Sequence, residues 1–294
     1  MDAEIDARLA RGLARLAARA SEARSQPKLR EEPPAGHQPL FLPGLDDFMR
    51  AMPNHIARSS LFAPVARGRK RVHTGTTLIS RRDAVLRYWG VQLDETQADA
   101  WMQAMYEASR RPLGEPIIIN RSRFLRAIGR QTGNYEYKWL NRTMQALAFA
   151  MIVIEVTKDG APKYTVGTNG ALHMIDGFDY DARSEAYALR IDPRWRVMFG
   201  NREFALIDWE KRLRFGMHQD MAKALQRLVA TSNESVQKFA LEWLKPKLEF
   251  NSPMRKFRAA LDSAMRELER LEIIAGGRIE PSSKGEPQAV WTKI

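Results

Sequence analysis

The sequence predicts an α+β chain, mainly α, in which one order of elements, helices followed by a β-hairpin, occurs twice behind a flexible basic N-terminal region. Three observations carry this. Apolar residues recur at spacings of three and four in two separate blocks. Each block ends in an extended apolar run, a Gly-bearing turn and a second run. A Pro-rich stretch, EEPPAGHQPLFLPG over 31–44, separates an Ala- and Arg-rich start from the rest. Three helices followed by a hairpin, counting the helix at 95–109, is the winged helix-turn-helix order. The expected divisions are therefore an N-terminal segment over 1–56 and two tandem winged helix-turn-helix domains over 57–192 and 193–294.

Within residues 1–30, Ile5, Leu9, Leu13 and Leu16 predict a thin amphipathic helix with Arg8, Arg11, Arg15 and Arg19 elsewhere on its surface. The PLFL island at 39–42 reads either as local packing or as a short docking motif. ARSSLFAPVARGRKRVH (57–73) holds five Lys and Arg and no acid, the composition of a solvated basic loop or of an arm laid along phosphates. A strand or two is expected over 76–93, then a helix over 95–109 with Trp101, Ala104, Met105 and Ala108 on its apolar face. EPIIIN (115–120) is a strand ending in the helix cap Asn120. Helices follow over 121–130, with Phe124, Leu125 and Ile128 inward, and over 135–150, with Leu140, Met144 and Leu147 buried. MIVIEVT, KDGA and PKYTVG close the first unit as a hairpin.

Residues 171–192 read as two antiparallel strands and 193–215 as mostly helical. The second unit begins with a helix over 220–231 and a further helix over 235–244, on which Val236, Phe239, Ala240 and Trp243 share a side. A long helix runs from Pro253 to about Leu271, with Phe257, Leu261, Ala264, Leu268 and Leu271 spaced four, three, four and three. The last residues form a hairpin around a basic loop.

That long helix is charged against its own dipole. Ser252 suits the N-cap and Pro253 the first turn. Arg255, Lys256 and Arg258 follow at the positive end, each misplaced by a few tenths of a kcal/mol up to about 1, while Glu267, Glu269 and Glu272 gather at the far end. Beside phosphates the sign reverses, because neutralising DNA and releasing its counterions outweighs the dipole term. In the first unit the corresponding surface carries Asn134, Tyr135, Tyr137, Lys138, Asn141, Arg142 and Gln145, with Arg121 and Arg123 on the preceding helix. Asn and Gln can bond adenine edges, and Arg, Lys and Tyr can reach phosphates. Lys158 and Lys163 in the first hairpin, and Arg278 and Lys284 in the second, complete the candidate contacts.

Totals agree with a polyanionic partner. Lys plus Arg is 47 against 35 acids, a net charge of +12 with a pI near 10.1. Cysteine is absent, which excludes disulfide scaffolds and thiolate metal sites. No apolar run approaches the roughly 18–20 residues of a membrane span, so a reducing cytoplasm is expected. There is no G-x-x-x-x-G-K-[ST] loop and no G-x-S-x-G elbow. The five histidines, at 37, 55, 73, 173 and 218, show no metal-ligand spacing. DGFDYDARSE (176–185) reads as a charged hairpin tip rather than a cation site. The expectation is a binder, not an enzyme, with no cofactor and no metal.

Several phrases carry a family resemblance. MPNHIARSSLFAPVARG, WMQAMYEA, PLGEPI, LRIDPRW, MAKALQRLVATS and LERLEIIAGGRIE are similar to the TrfA replication initiators of broad-host-range plasmids, over roughly residues 40–294. The resemblance implies an origin-binding protein with two winged-helix domains that recognises direct repeats called iterons in double-stranded DNA. It further implies opening of adjacent AT-rich DNA and contact with single strands. Recruitment of the host initiator, the replicative helicase and the sliding clamp is implied too, with a monomer–homodimer equilibrium through the first winged domain. The family's clamp-docking pentapeptide falls on HQPLF (37–41), with His37 in place of its glutamine and Leu40 and Phe41 as the apolar plug. A transcriptional repressor using the same two domains is the alternative function, and an RNA-binding or architectural protein a third.

Overall fold

Asp94 fixes the start of the first long helix. Its carboxylate accepts the Gln97 backbone N–H at 3.0 Å, while the Gln97 side chain accepts the Asp94 N–H at 3.0 Å, a reciprocal capping box. The computed structural model describes residues 46–65, 70–80, 82–112, 114–158, 161–168, 170–199 and 203–294. Leu40 and Phe41, and the helix expected within 1–30, lie outside them.

The described elements follow in chain order. Strand β1 (Met49–Pro53) and the single turn α1 (Asn54–Ala57) lead to β2 (Phe62–Ala63), β3 (Val72–Leu78), β4 (Ala84–Val91) and β5 (Leu93–Asp94). Next come α2 (Glu95–Ala108), β6 (Ile117–Asn120), α3 (Arg121–Ala127), α4 (Asn134–Phe149), β7 (Met151–Lys158), β8 (Ala161–Val166) and β9 (Leu172–His173). Then follow β10 (Gly177–Asp181), β11 (Ala186–Arg190), α5 (Trp195–Phe199), β12 (Phe204–Asp208) and α6 (Trp209–Leu213). The chain closes with α7 (Asp220–Val229), β13 (Val236–Ala240), α8 (Leu241–Lys247), α9 (Met254–Arg270), β14 (Ile274–Pro281) and β15 (Pro287–Lys293).

The strands form five sheets among the described residues. Antiparallel β7 joins β4 to β8 and also takes β9, so with β3 at the outer edge the sheet has five strands. β6, β11 and β10 make a second sheet, with Ile119 opposite Tyr187 and Tyr187 opposite Tyr180. β13, β15 and β14 make a third. β1 pairs antiparallel with β12, and β2 parallel with β5.

Two apolar clusters fill the interior. The larger draws on α2, α4, the five-stranded sheet and α5, around Trp101 and Trp195, whose rings lie 5.0 Å apart. Both indoles are satisfied: Trp101 donates to the Met174 carbonyl at 2.8 Å and Trp195 to that of His173 at 3.0 Å. The smaller cluster packs α7, α8 and α9 over β15, with Phe257, Leu261 and Trp291 fully buried.

The expectation of a mainly α chain is corrected. About 36% of the structure is helical and 33% is strand. The expected first hairpin is present as β7 and β8, with β7 also paired to β4 inside the five-stranded sheet. Strands also stand where helices were expected. VQKFA (236–240) is β13, because Gln237 points inward, donating to the Val229 carbonyl at 3.1 Å and accepting the Trp291 indole N–H at 3.1 Å. Its two-residue alternation, not a helical face, places Phe239 on Trp243 and Trp291. Residues 204–208, expected helical, are β12, whose partner β1 lies some 150 residues upstream within the expected N-terminal segment.

Candidate nucleic-acid interface

Helix α9 is amphipathic over its whole length, and its buried stripe of Phe257, Leu261, Ala264, Met265 and Leu268 sets which residues face out. Arg255, Lys256 and Arg258 are all exposed, on either side of the buried Phe257. No acid occupies the first turn. Among the described residues these three cations make no ion pair, whereas those of the far half are paired: Arg266 with Asp262 at 3.0 Å and Arg270 with Glu267 at 2.6 Å. The hydrogen bond from Arg270 holds the Glu267 carboxyl below its ordinary range. Glu269 turns back to accept the Gly277 N–H at 2.7 Å and so ties the helix to β14. The charge gradient is therefore built into the fold, with free cations at one end and neutralised pairs at the other.

Ser252 is half-buried and does not cap this helix. Pro253 stands at the N-cap with no side-chain hydrogen bond, and its carbonyl accepts the Lys256 and Phe257 N–H groups at 3.0 and 3.1 Å. Just upstream, Arg71 on the loop entering β3 donates to the Asn251 side chain at 3.1 Å and faces Glu249 at 3.4 Å. A cleft of about 350 Å³ opens there, with Arg71, His73, Thr76, Thr77, Lys245 and Asn251 among its lining. Part of the basic stretch over 57–73 thus sits beside the start of α9.

Helix α4 presents a second polar surface. Asn134, Tyr135, Lys138, Arg142 and Gln145 are exposed and Asn141 half-buried, while Leu140, Met144 and Leu147 are fully buried. Asn120 caps α3 by accepting the Ser122 and Arg123 N–H groups at 3.1 and 3.0 Å, which leaves the Arg123 side chain outward.

Other candidates are engaged within the protein. Arg121 pairs with Glu185, donates to the Tyr180 hydroxyl at 2.7 Å and lies 3.8 Å from the Tyr137 ring. The Tyr137 hydroxyl meets Ser122 Oγ at 2.8 Å. Lys163 pairs with Glu203, and Arg278 with Glu280 at 2.6 Å. Lys158 and Lys284 are exposed. Two of the three aspartates of 176–185 are taken up locally: Asp179 pairs with Arg190 at 3.0 Å, and Asp181 accepts the Ser184 hydroxyl and the Arg183 and Ser184 N–H groups.

Over 171 residues the chain is 26% identical to the plasmid replication initiator protein TrfA of Escherichia coli, a match covering 56% of this chain and 43% of that one. The sequence is similar to a plasmid replication initiator. The chain thus spans less than half the length of the curated relative it matches. No protein-family model matches it. Among solved structures, a crystal structure of domains 2 and 3 of RctB superposes with a TM-score of 0.52, covering 82% of this chain and 98% of that one. At 11% identity that likeness concerns the fold alone. No helix among the described residues is long and apolar enough to cross a membrane.

One exposed cation of α3 was not singled out in the sequence. Arg126 stands on α3 three residues beyond Arg123 and is likewise exposed, so the three-residue spacing that puts Leu125 and Ile128 inward could have singled it out. Arg71 was legible only as part of the basic stretch over 57–73, because its neighbour Asn251 is 180 residues away.

Proposed function

We propose that this chain is a plasmid replication initiator that binds repeated sites, iterons, in double-stranded origin DNA through α9 and α4. The observation that carries the proposal is the cluster Arg255, Lys256 and Arg258 at the N-terminal end of α9, exposed and without ion pairs among the described residues. A folded protein gains nothing from cations there, and the positive end of a helix carrying three basic side chains is complementary to phosphate. The exposed Lys138, Arg142 and Gln145 of α4, with Arg123 and Arg126 of α3, offer the second contact. Similarity to TrfA supports the placing of that activity at an origin.

The role is one of binding rather than catalysis. Opening of AT-rich DNA then draws on the free energy of occupying several sites, and the host initiator, helicase and sliding clamp act on the opened strands. Transformation by a replicon deprived of its initiator gene, with this chain supplied in trans, tests the proposal. Colonies are expected with the wild-type chain and lost with Arg255→Ala/Arg258→Ala. Sequence-specific binding without any rescued replication would instead favour a repressor.

A further inference from the structure

Between the two apolar clusters lies a set of charges that neither cluster needs. Glu95 and Asp99 project from α2, Arg212 from α6, and Lys223 and Arg227 from α7. The Arg212 guanidinium donates to Glu95 at 2.9 Å, to Asp99 at 2.7 Å and to the Lys223 carbonyl at 2.6 Å. Lys223 reaches the other oxygen of Asp99 at 2.7 Å. Arg227 pairs with Glu95 and donates to the Phe62 carbonyl at 2.9 Å. Burial pushes the Asp99 carboxyl up, and Arg212 and Lys223 together pull it below its ordinary value, so it stays charged. Apolar side chains could fill such a junction at equal or better stability, so charges kept there point to a directional role, for which setting register is the best-attested use.

The elements joined are the ones that hold the proposed DNA-contacting helices. α2 packs on α4, and α7 packs on α9. A second set of ties runs through the short α6: the Trp209 indole donates to the Ala127 carbonyl at the end of α3 at 2.9 Å, and Lys211 donates to the Glu272 carbonyl just past α9 at 2.8 Å. Arg270 of α9 also donates to the Arg214 carbonyl at 3.3 Å. Ties at separate points resist both sliding and rotation.

We infer that the buried network of Glu95, Arg227, Arg212, Asp99 and Lys223 fixes the separation of α4 and α9, and so sets the spacing accepted between the two stretches of DNA these helices touch. This rests on the proposed DNA contact by both helices. Arg212 is a positioning residue here: it meets no DNA and acts through α2 and α7. One base pair of insertion turns the second stretch by about 35° and moves it about 3.4 Å, beyond what a locked pair of helices follows.

The test uses the full chain and a duplex enriched from a random pool by the wild-type protein. Between its two protected blocks, one or two base pairs are inserted or removed. Wild type is expected to bind each altered duplex about tenfold or more weakly, the loss of roughly one good base contact. Asp99→Asn/Arg212→Gln removes one charge of each sign, and its affinities should fall within about threefold of one another across the series, under 1 kcal/mol. A merely structural role would weaken all duplexes by one common factor, and that result overturns the inference. Lys211→Ala cuts only the surface tie and should keep the wild-type profile, whereas flattening by this variant alone would also overturn it. Should the double variant unfold, Arg212→Lys loses the forked contact while keeping the charge and is expected to flatten the series likewise. If no sequence is enriched, the DNA contact itself is refuted; if enrichment succeeds and the profiles coincide, only the role of the network is.

Discussion

Arg227 and Glu95 form an ion pair from which water is excluded on both sides: each side chain has 0% exposure, and 132 residues of chain separate them. Removing Glu95 strands Arg227, whereas removing Arg227 leaves Glu95 held by Arg212. Glu95→Gln should lower unfolding free energy by about 3–5 kcal/mol, read from urea titration, while Arg227→Met and Glu95→Leu/Arg227→Met should each lose less. A Glu95→Gln variant as stable as wild type would show that the pair is not desolvated as described.

Lys247 makes stability depend on pH in the alkaline range. Its ammonium is fully buried, 3.5 Å from the Ala57 carbonyl, and burial, then Arg227, pulls its pKa from 10.5 down to about 7; Glu95 opposes this and Arg58 adds to it. The unfolded chain holds this proton up to 10.5 and the folded chain releases it near 7, so the unfolded state binds more protons in between. Stability should therefore rise as pH climbs from about 7 towards 10.5, and the penalty should be complete below 7. Lys247→Met should raise the melting temperature at neutral pH and flatten that rise. An unchanged pH profile in the variant would assign the effect to other groups.

Gly167 permits a close crossing of the five-stranded sheet. Its φ is +95°, and an added Cβ would lie 2.5 Å from the Ile152 carbonyl oxygen. Gly167→Ala should cost roughly 1–3 kcal/mol from backbone strain, with the clash adding to it. Thermal unfolding of the variant checks this, and an unshifted midpoint would contradict the crossing.

Local signals in the sequence located the long elements well. Helices expected over 95–109 and 135–150 are α2 and α4, and Asn120 caps α3 as its side chain allows. The outward cations of α9 were legible because Phe257 and Leu261 fix the buried stripe within the same helix. What could not be read is long-range. Whether VQKFA is helix or strand depends on β15 waiting more than fifty residues later, and β12 depends on β1 far upstream. The charges Glu95, Asp99, Arg212 and Arg227 look like ordinary surface residues in their own helices, since nothing local shows that they meet one another in the interior.

The most direct measurement is the salt dependence of duplex binding by Arg255→Ala, Arg258→Ala and their combination. Each lost phosphate contact should flatten the log–log slope by roughly one unit while weakening binding at low salt. Slopes equal to that of the wild type would mean that the N-terminal end of α9 does not face DNA.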